Sequence, residues 1–188
     1  TDAQQPLEAA QIHKLDTICR KLQLKPGDKL LDIGCGWGGL ACHAASKYGA
    51  IVHGVTLSQA QFDFATAKVA KRGLQDKVKI ELRDYRSLDA REYYDKIAQI
   101  EMFEHIGIDN HDIHFKQMHN LLRTRGLYLH QASTRPATPD LSQFRTPSAY
   151  REIITKYIFP GGELDYIGLT ITNLERHRLE VMNIECMR

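Results

Sequence analysis

With 188 residues, 43% of them hydrophobic and 26% charged, the chain carries enough apolar material for one ordinary soluble domain with its own core. A net charge of +2 is too small to point to nucleic acid, and no apolar run approaches the ~20 residues that span a bilayer. Cys19, Cys35, Cys42 and Cys186 form no C-x-x-C pair, which argues against a zinc ribbon or a thioredoxin-type site and fits a reducing cytosol. No secretory signal peptide is visible, so the expected location is cytoplasmic.

Apolar side chains at Leu7, Ala10, Leu15, Ile18 and Leu22 keep a helical spacing over 7–23, and Lys25-Pro26-Gly27-Asp28 ends that helix. Residues 29–33 read as a buried strand that runs into a turn rich in glycine, with a helix over 39–48. Ile51–Val55 is the second strand. Ser58 caps a helix that runs to about Arg72 and closes at Gly73. Lys77–Leu82 alternates as a third strand, and Asp95–Ile100 is the fourth. Asp109 opens a helix to about Arg123, and Gly126–Ala132 is the fifth strand. This alternation predicts an α/β fold: a Rossmann-like, doubly wound, mostly parallel sheet with helices on both faces.

Beyond it, Ser133–Thr146, with Pro136 and Pro139, reads as a long loop. A short helix over Tyr150–Ile158, a sharp turn at Phe159-Pro160-Gly161-Gly162, a helix over 165–177 and a strand over 179–186 complete the chain. No linker divides it, so residues 1–188 read as a single domain; it begins at Thr1 without a methionine and reads as part of something longer.

A strand that enters a glycine turn and then a helix marks a nucleotide crevice. Gly34, Gly36 and Gly39 satisfy G-x-G-x-x-G, which raises a dinucleotide. That ligand also wants an acid at the tip of the second strand, but His53-Gly54-Val55-Thr56-Leu57-Ser58 has none. An acid does stand at Asp32, just before the glycines, where S-adenosylmethionine methyltransferases commonly carry one. Methyl transfer is therefore preferred over nicotinamide redox chemistry. The fourth strand ends in Glu101-Met102-Phe103-Glu104-His105, two carboxylates and a histidine beyond a strand's carboxyl end, where ligands of open α/β sheets bind. Acids decorating a helix N-terminus are the plainer explanation of the same run.

Four blocks stand in order along the chain: Leu31-Asp32-Ile33-Gly34-Cys35-Gly36-Trp37-Gly38-Gly39, Gly54-Val55-Thr56-Leu57-Ser58-Gln59-Ala60-Gln61, Ile100-Glu101-Met102-Phe103-Glu104-His105-Ile106-Gly107, and Tyr157-Ile158-Phe159-Pro160-Gly161-Gly162-Glu163-Leu164. Together they resemble the cyclopropane-fatty-acid synthase and mycolic acid cyclopropane synthase family of class I S-adenosylmethionine-dependent methyltransferases. The resemblance implies S-adenosylmethionine bordered by Asp32, Gly34, Gly36 and Gly38. Thr56, Leu57, Ser58 and Gln61 would replace the usual acid as ribose contacts, and Tyr85 and Arg86 would flank the adenine. It implies a bicarbonate ion held by the Glu104 side chain, the Ile100 main chain and His130. The implied substrates are unsaturated acyl chains of phospholipids, met at a membrane surface on the inner face, with cyclopropane or methylated chains as products.

The chain departs from the family pattern. The N-terminal lid segment with a Tyr-Ser-Cys stretch is not found, the tyrosine ligand beyond the Phe-Pro-Gly-Gly turn cannot be placed on Tyr166, and the final antiparallel strand is missing. Glu101 stands where many cyclopropane synthases have glycine. Related amine N-methyltransferases carry a similar Glu-Met-Phe-Glu-His run, and there Glu104 and His105 would orient an amine and take its proton. A cofactor-binding core without a complete active site is the non-enzyme alternative. His111, His114 and His119 read as surface histidines, with no metal expected. Lys68, Lys71 and Arg72, or Arg123 and Arg125, could touch anionic headgroups, although solvated helix ends are the commoner case.

Overall fold

The computed structural model describes residues 6–158 and 160–186. It divides into two compact units: residues up to Ile100 with Asn120–His130, and Glu101–His119 with the residues from Gln131 onward.

The first unit is built on a five-stranded sheet of order β3-β2-β1-β4-β5. Its strands are β1 (Lys29–Ile33), β2 (Ile51–Thr56), β3 (Val78–Leu82), β4 (Tyr94–Ile100) and β5 (Leu122–Gln131). β1 pairs in parallel with both β2 and β4, and β2 pairs in parallel with β3. Starting in the middle and winding outward to each edge is the doubly wound arrangement. Leu30, Leu31, Ile33, Val52, Val55 and Ile97 are fully buried. A central strand that is apolar on both faces has to be covered on both, and each such side chain contributes roughly 1.5–3 kcal/mol of burial.

The helices of this unit follow local signals. α1 (Leu7–Lys21) turns Ile18, Cys19 and Leu22 onto Leu40, Ala41, Ala44 and Ala45 of α2 (Gly39–Tyr48). It stops in a turn where the Lys25 N–H donates to Asp28 Oδ2 at 2.9 Å and the Gly27 N–H to Gly49 O at 2.9 Å. α3 (Gln59–Lys71) is capped by Ser58, whose Oγ accepts from the Gln61 N–H at 3.4 Å, and ends before Gly73 at φ +64°. β5 begins four residues earlier than Gly126. The Glu92 and Tyr93 N–H groups already donate to Asn120 O and Leu121 O, so the sheet recruits this segment before the glycine.

In the second unit, α4 (His111–Leu121) follows a 3-10 turn over Ile108–Asn110, two residues later than the expected start at Asp109. The expected long loop after β5 is punctuated by a 3-10 turn at Leu141–Gln143. α5 (Ala149–Ile153) runs into one wide π turn over Ile154–Ile158, and α6 spans Ile167–Arg176. Phe159 lies outside the described residues; Gly161, at φ +74°, turns the chain just after it. The strand expected over 179–186 does not form. A strand exists only by pairing with a neighbouring strand; here the Leu179 N–H instead donates back to Leu174 O at 3.0 Å, and Met182 and Ile184 are exposed.

His111 and His114 are buried, not surface histidines as their polarity suggests. His111 stacks on Phe103, with ring centroids 4.3 Å apart and planes at 30°, and His114 packs edge-on against Phe115. The imidazoles serve as flat core rings.

Candidate active site

In the first unit the sheet lines up the carboxyl ends of its parallel strands, and the sequence-predicted cofactor residues lie there. Asp32 stands opposite Gly54 on β2 and Ala98 on β4. Its carboxylate is buried, Oδ2 has no hydrogen-bond partner among the described residues, and burial pushes its pKa up to about 7. The chain leaves β1 through Gly34, Gly36 and Gly38, at φ +72°, +53° and +69°. The Gly34 and Cys35 N–H groups both donate to Val55 O at 3.0 Å, which ties the turn to β2. Gly38 is needed for space as well as for its left-handed backbone, since a Cβ there would stand 3.0 Å from Ala65 Cβ and hold α2 off α3.

Gly54 is glycine for packing. A side chain there would meet Ile80 Cδ1 at 2.8 Å and Cys35 Cβ at 3.0 Å. With no acid at the tip of β2, a polar knot takes its place. Thr56 Oγ1 donates to Gln61 Oε1 at 2.7 Å and accepts from the Ser58 N–H at 3.2 Å. The structure therefore brings Thr56, Ser58 and Gln61 together; Leu57 projects outward and is exposed. After β3, Tyr85 is half-buried and burial pushes its phenol up to about 12, whereas the guanidinium of Arg86 is taken up by Asp84 at 2.6–3.1 Å.

Ile100 closes β4, half-buried. His130, late in β5, is held by a network that sequence reading missed. Its Nδ1 lies 3.0 Å from the Tyr128 hydroxyl, which donates to Oε1 of the buried Gln99. The hydroxyl thereby bridges the Gln99 amide and the His130 ring and holds the imidazole in place. Tyr128 precedes His130 by two residues, hence on the same face of the strand, and that spacing was the available signal.

In the second unit, Glu101 comes first and takes φ +52°, a left-handed conformation that favours glycine. Its N–H donates to Gln131 O at 2.9 Å. Its carboxylate accepts from Gln131 Nε2 at 2.8 Å and from Ser133 Oγ at 3.2 Å. Glu104 lies on the following 3-10 turn and is buried. Its Oε1 accepts from the Ser133 N–H at 2.5 Å, while Oε2 has no partner among the described residues. Burial, with the Glu101 carboxylate beside it, raises its pKa above the usual glutamate value, and the Ser133 N–H opposes the rise. His105 is exposed on the same turn. The strained backbone at Glu101 and the role of Ser133 were not foreseen, although glycine at the family's matching position pointed to the first.

The rest of this unit braces the Glu104 turn. The Glu163 N–H donates to Glu104 O at 2.8 Å, and Glu163 Oε2 accepts from the Ile108 N–H at 3.2 Å. Arg145 forks between Asp109, at 2.6 and 3.0 Å, and Glu163, at 3.0 and 3.1 Å.

The whole chain, residues 1–188, matches the family described as mycolic acid cyclopropane synthetase. It is 38% identical over 182 residues to a probable fatty acid methyltransferase of Pseudomonas putida, covering 97% of this chain and 45% of that protein. It is 40% identical over 172 residues to the cyclopropane-fatty-acyl-phospholipid synthase of Escherichia coli K12, covering 91% of this chain and 41% of the synthase. The chain thus spans less than half the length of these curated relatives. A crystal structure of a mycolic acid cyclopropane synthase complexed with SAH and CTAB superposes with a TM-score of 0.81 at 31% identity, covering 94% of this chain and 63% of that one. The sheet order and this superposition give the class I S-adenosylmethionine-dependent methyltransferase fold. With a family match over its full length and relatives at these identities, the chain belongs to the mycolic acid cyclopropane synthetase family.

Proposed function

We propose that the protein uses S-adenosylmethionine to methylate the double bond of unsaturated acyl chains in phospholipids, giving, after loss of one proton, a cyclopropane or a methylated chain that keeps one double bond. The observation that carries this reading is the family match over the entire chain. Local geometry supports the methyl donor. Gly34, Gly36 and Gly38 leave main chain uncovered for close approach, and Asp32 Oδ2 is an orphaned buried acceptor suited to a ligand's N–H or cationic group. Thr56, Ser58 and Gln61 would hold hydroxyls in place of an acid, Leu57 would cover them, and Tyr85 and Arg86 would flank the adenine. When bound, S-adenosylmethionine supplies an electrophilic methyl group on a positively charged sulfur.

The chain's own residues have two tasks: to place negative charge where the acyl chain becomes positive, and to take up the proton released as the ring closes. Glu104 suits both. The Ser133 N–H fixes one oxygen, the other has no hydrogen-bond partner among the described residues, and its raised pKa makes it a better base than an exposed glutamate. Bicarbonate held through the Glu104 side chain is the finer form of this reading, with Ile100 and His130 in the supporting roles that the resemblance implies. His105 would act only if the acceptor were an amine. The test is mass spectrometry of unsaturated phospholipid vesicles incubated with the protein and S-adenosylmethionine. A gain of one CH2 per acyl chain is expected; unchanged lipids beside a methylated amine would replace this reading with the amine one.

A further inference from the structure

In the first unit, a groove of ≈ 270 Å³ runs between α1, α2 and α3, lined by Ile12, Leu15, His43, Lys47, Lys68 and Arg72 among others. Lys47 lies in the last turn of α2, Lys68 in the last turn of α3, and Arg72 caps α3. Cations at helix carboxyl ends are ordinary complements of the helix dipole. Here, however, three of them from two helices converge on one groove, and none pairs with a carboxylate among the described residues. The nearby carboxylate of Asp16 is engaged by His43 Nε2 at 2.7 Å and by the Tyr48 hydroxyl at 3.1 Å.

Beside the groove stand two exposed aromatics. Trp37 and Phe64 are each 53% exposed and meet edge to face with ring centroids 5.3 Å apart. Lys68 joins the two features: it lines the groove, its Nζ donates to Trp37 O at 3.3 Å, and it lies 5.9 Å from the Phe64 ring centroid. Packing does not require a tryptophan and a phenylalanine to stay in water. Aromatic rings next to cations that no carboxylate among the described residues neutralises match the layered chemistry of a bilayer surface, with anionic headgroups outside and apolar chains beneath.

We propose that this groove and the Trp37–Phe64 pair form a docking surface for a bilayer that carries anionic phospholipids. Lys47, Lys68 and Arg72 take the headgroup phosphates, and the two rings enter the interface. This goes beyond the acyl-transfer reading and does not depend on it, because vesicle binding is measured without turnover.

Trp37 is the chain's single tryptophan, so its fluorescence reports this surface alone. The full chain is mixed with vesicles of phosphatidylglycerol or of phosphatidylcholine, and sedimentation and emission are followed together. The expected result is sedimentation with the anionic vesicles only, with Trp37 emission shifted to the blue and quenched by brominated acyl chains. The Lys47→Gln/Lys68→Gln/Arg72→Gln variant, with an unchanged thermal melt, should bind about fivefold more weakly per charge removed, on the order of a hundredfold in all. Lys77→Gln/Arg91→Gln/Lys116→Gln removes the same charge elsewhere and should leave binding unchanged. Equal binding to neutral vesicles, sedimentation with unmoved Trp37 emission, or equal weakening by the two triple variants would overturn the proposal. So would displacement by inorganic phosphate at the lipid's own concentration, which would make the groove a site for the free anion.

Discussion

In the unit that holds the sheet, strands pair in a regular parallel register around Leu, Ile and Val side chains, and neighbouring residues share the work of holding the core. In the unit formed by 101–119 and the residues from 131, order comes from single groups that reach far along the chain. The Glu163 N–H meets Glu104 O, Arg145 meets Asp109 and Glu163, and Arg135 lies 3.4 Å over the Phe144 ring and donates to Leu164 O. Both units nevertheless bury polar atoms with no hydrogen-bond partner among the described residues: Asp32 Oδ2 in one, Glu104 Oε2 and both His111 ring nitrogens in the other, with His111 Nδ1 4.0 Å from the Asp165 carboxylate. Folded proteins bury few such atoms, so these positions are where substitution should separate stability from function.

The largest effect is expected at Glu104. Glu104→Gln keeps the size of the side chain and removes the base, so turnover should fall by about 10²–10⁴-fold while S-adenosylmethionine affinity, read by calorimetry, stays near that of the parent. Equal loss of both would mean that the residue supports the fold and not the chemistry.

Asp32 offers the next test. Burial raises its pKa from 3.8 to about 7, so the ligand-free protein favours the neutral acid, and that contribution is lost as pH rises through about 7. Asp32→Asn should therefore stabilise the ligand-free protein above pH 7 by up to about 4 kcal/mol, and should weaken S-adenosylmethionine binding. Thermal melts on both sides of that pH, with and without the ligand, check both halves.

His111 titrates the other way. Burial lowers its pKa from 6.5 to about 4, so the stability of its neutral ring is present above 6.5 and lost as pH falls through 4. His111→Phe keeps a ring against Phe103 and should flatten that acid limb, a gain of at most about 3 kcal/mol at low pH. The smallest effect concerns Glu101. With φ at +52°, Glu101→Gly should be more stable than Glu101→Ala by about 1 kcal/mol in denaturant titrations, since both lose the bonds to Gln131 and Ser133 and only glycine relieves the backbone.

What the sequence made legible follows the same division. The elements from α1 to β4 fall within a residue or two of their expected bounds, because strand runs, the Ser58 cap and the glycine stops are local signals. The carboxyl-end positions of Asp32, Thr56 and Ile100 follow directly from that pattern. From residue 120 onward the decisive bonds are distant ones. The pairing of 92–93 with 120–121 starts β5 early, and over 179–186 the Leu179 N–H turns back to Leu174 O in place of a strand pairing. At the candidate site the residue types were legible, but their holders were not: neither the Ser133 N–H on Glu104 nor the Tyr128 hydroxyl on His130 has a local signature beyond same-face spacing.

The central claim is tested most directly with S-adenosylmethionine deuterated in its methyl group, given to the parent and to Glu104→Gln together with unsaturated phospholipid vesicles. The account predicts deuterium in the acyl chains of the parent reaction, and almost none with a variant that still binds the donor. Deuterium entering the acyl chains at the same rate with both proteins, or never entering them with the parent, would contradict it.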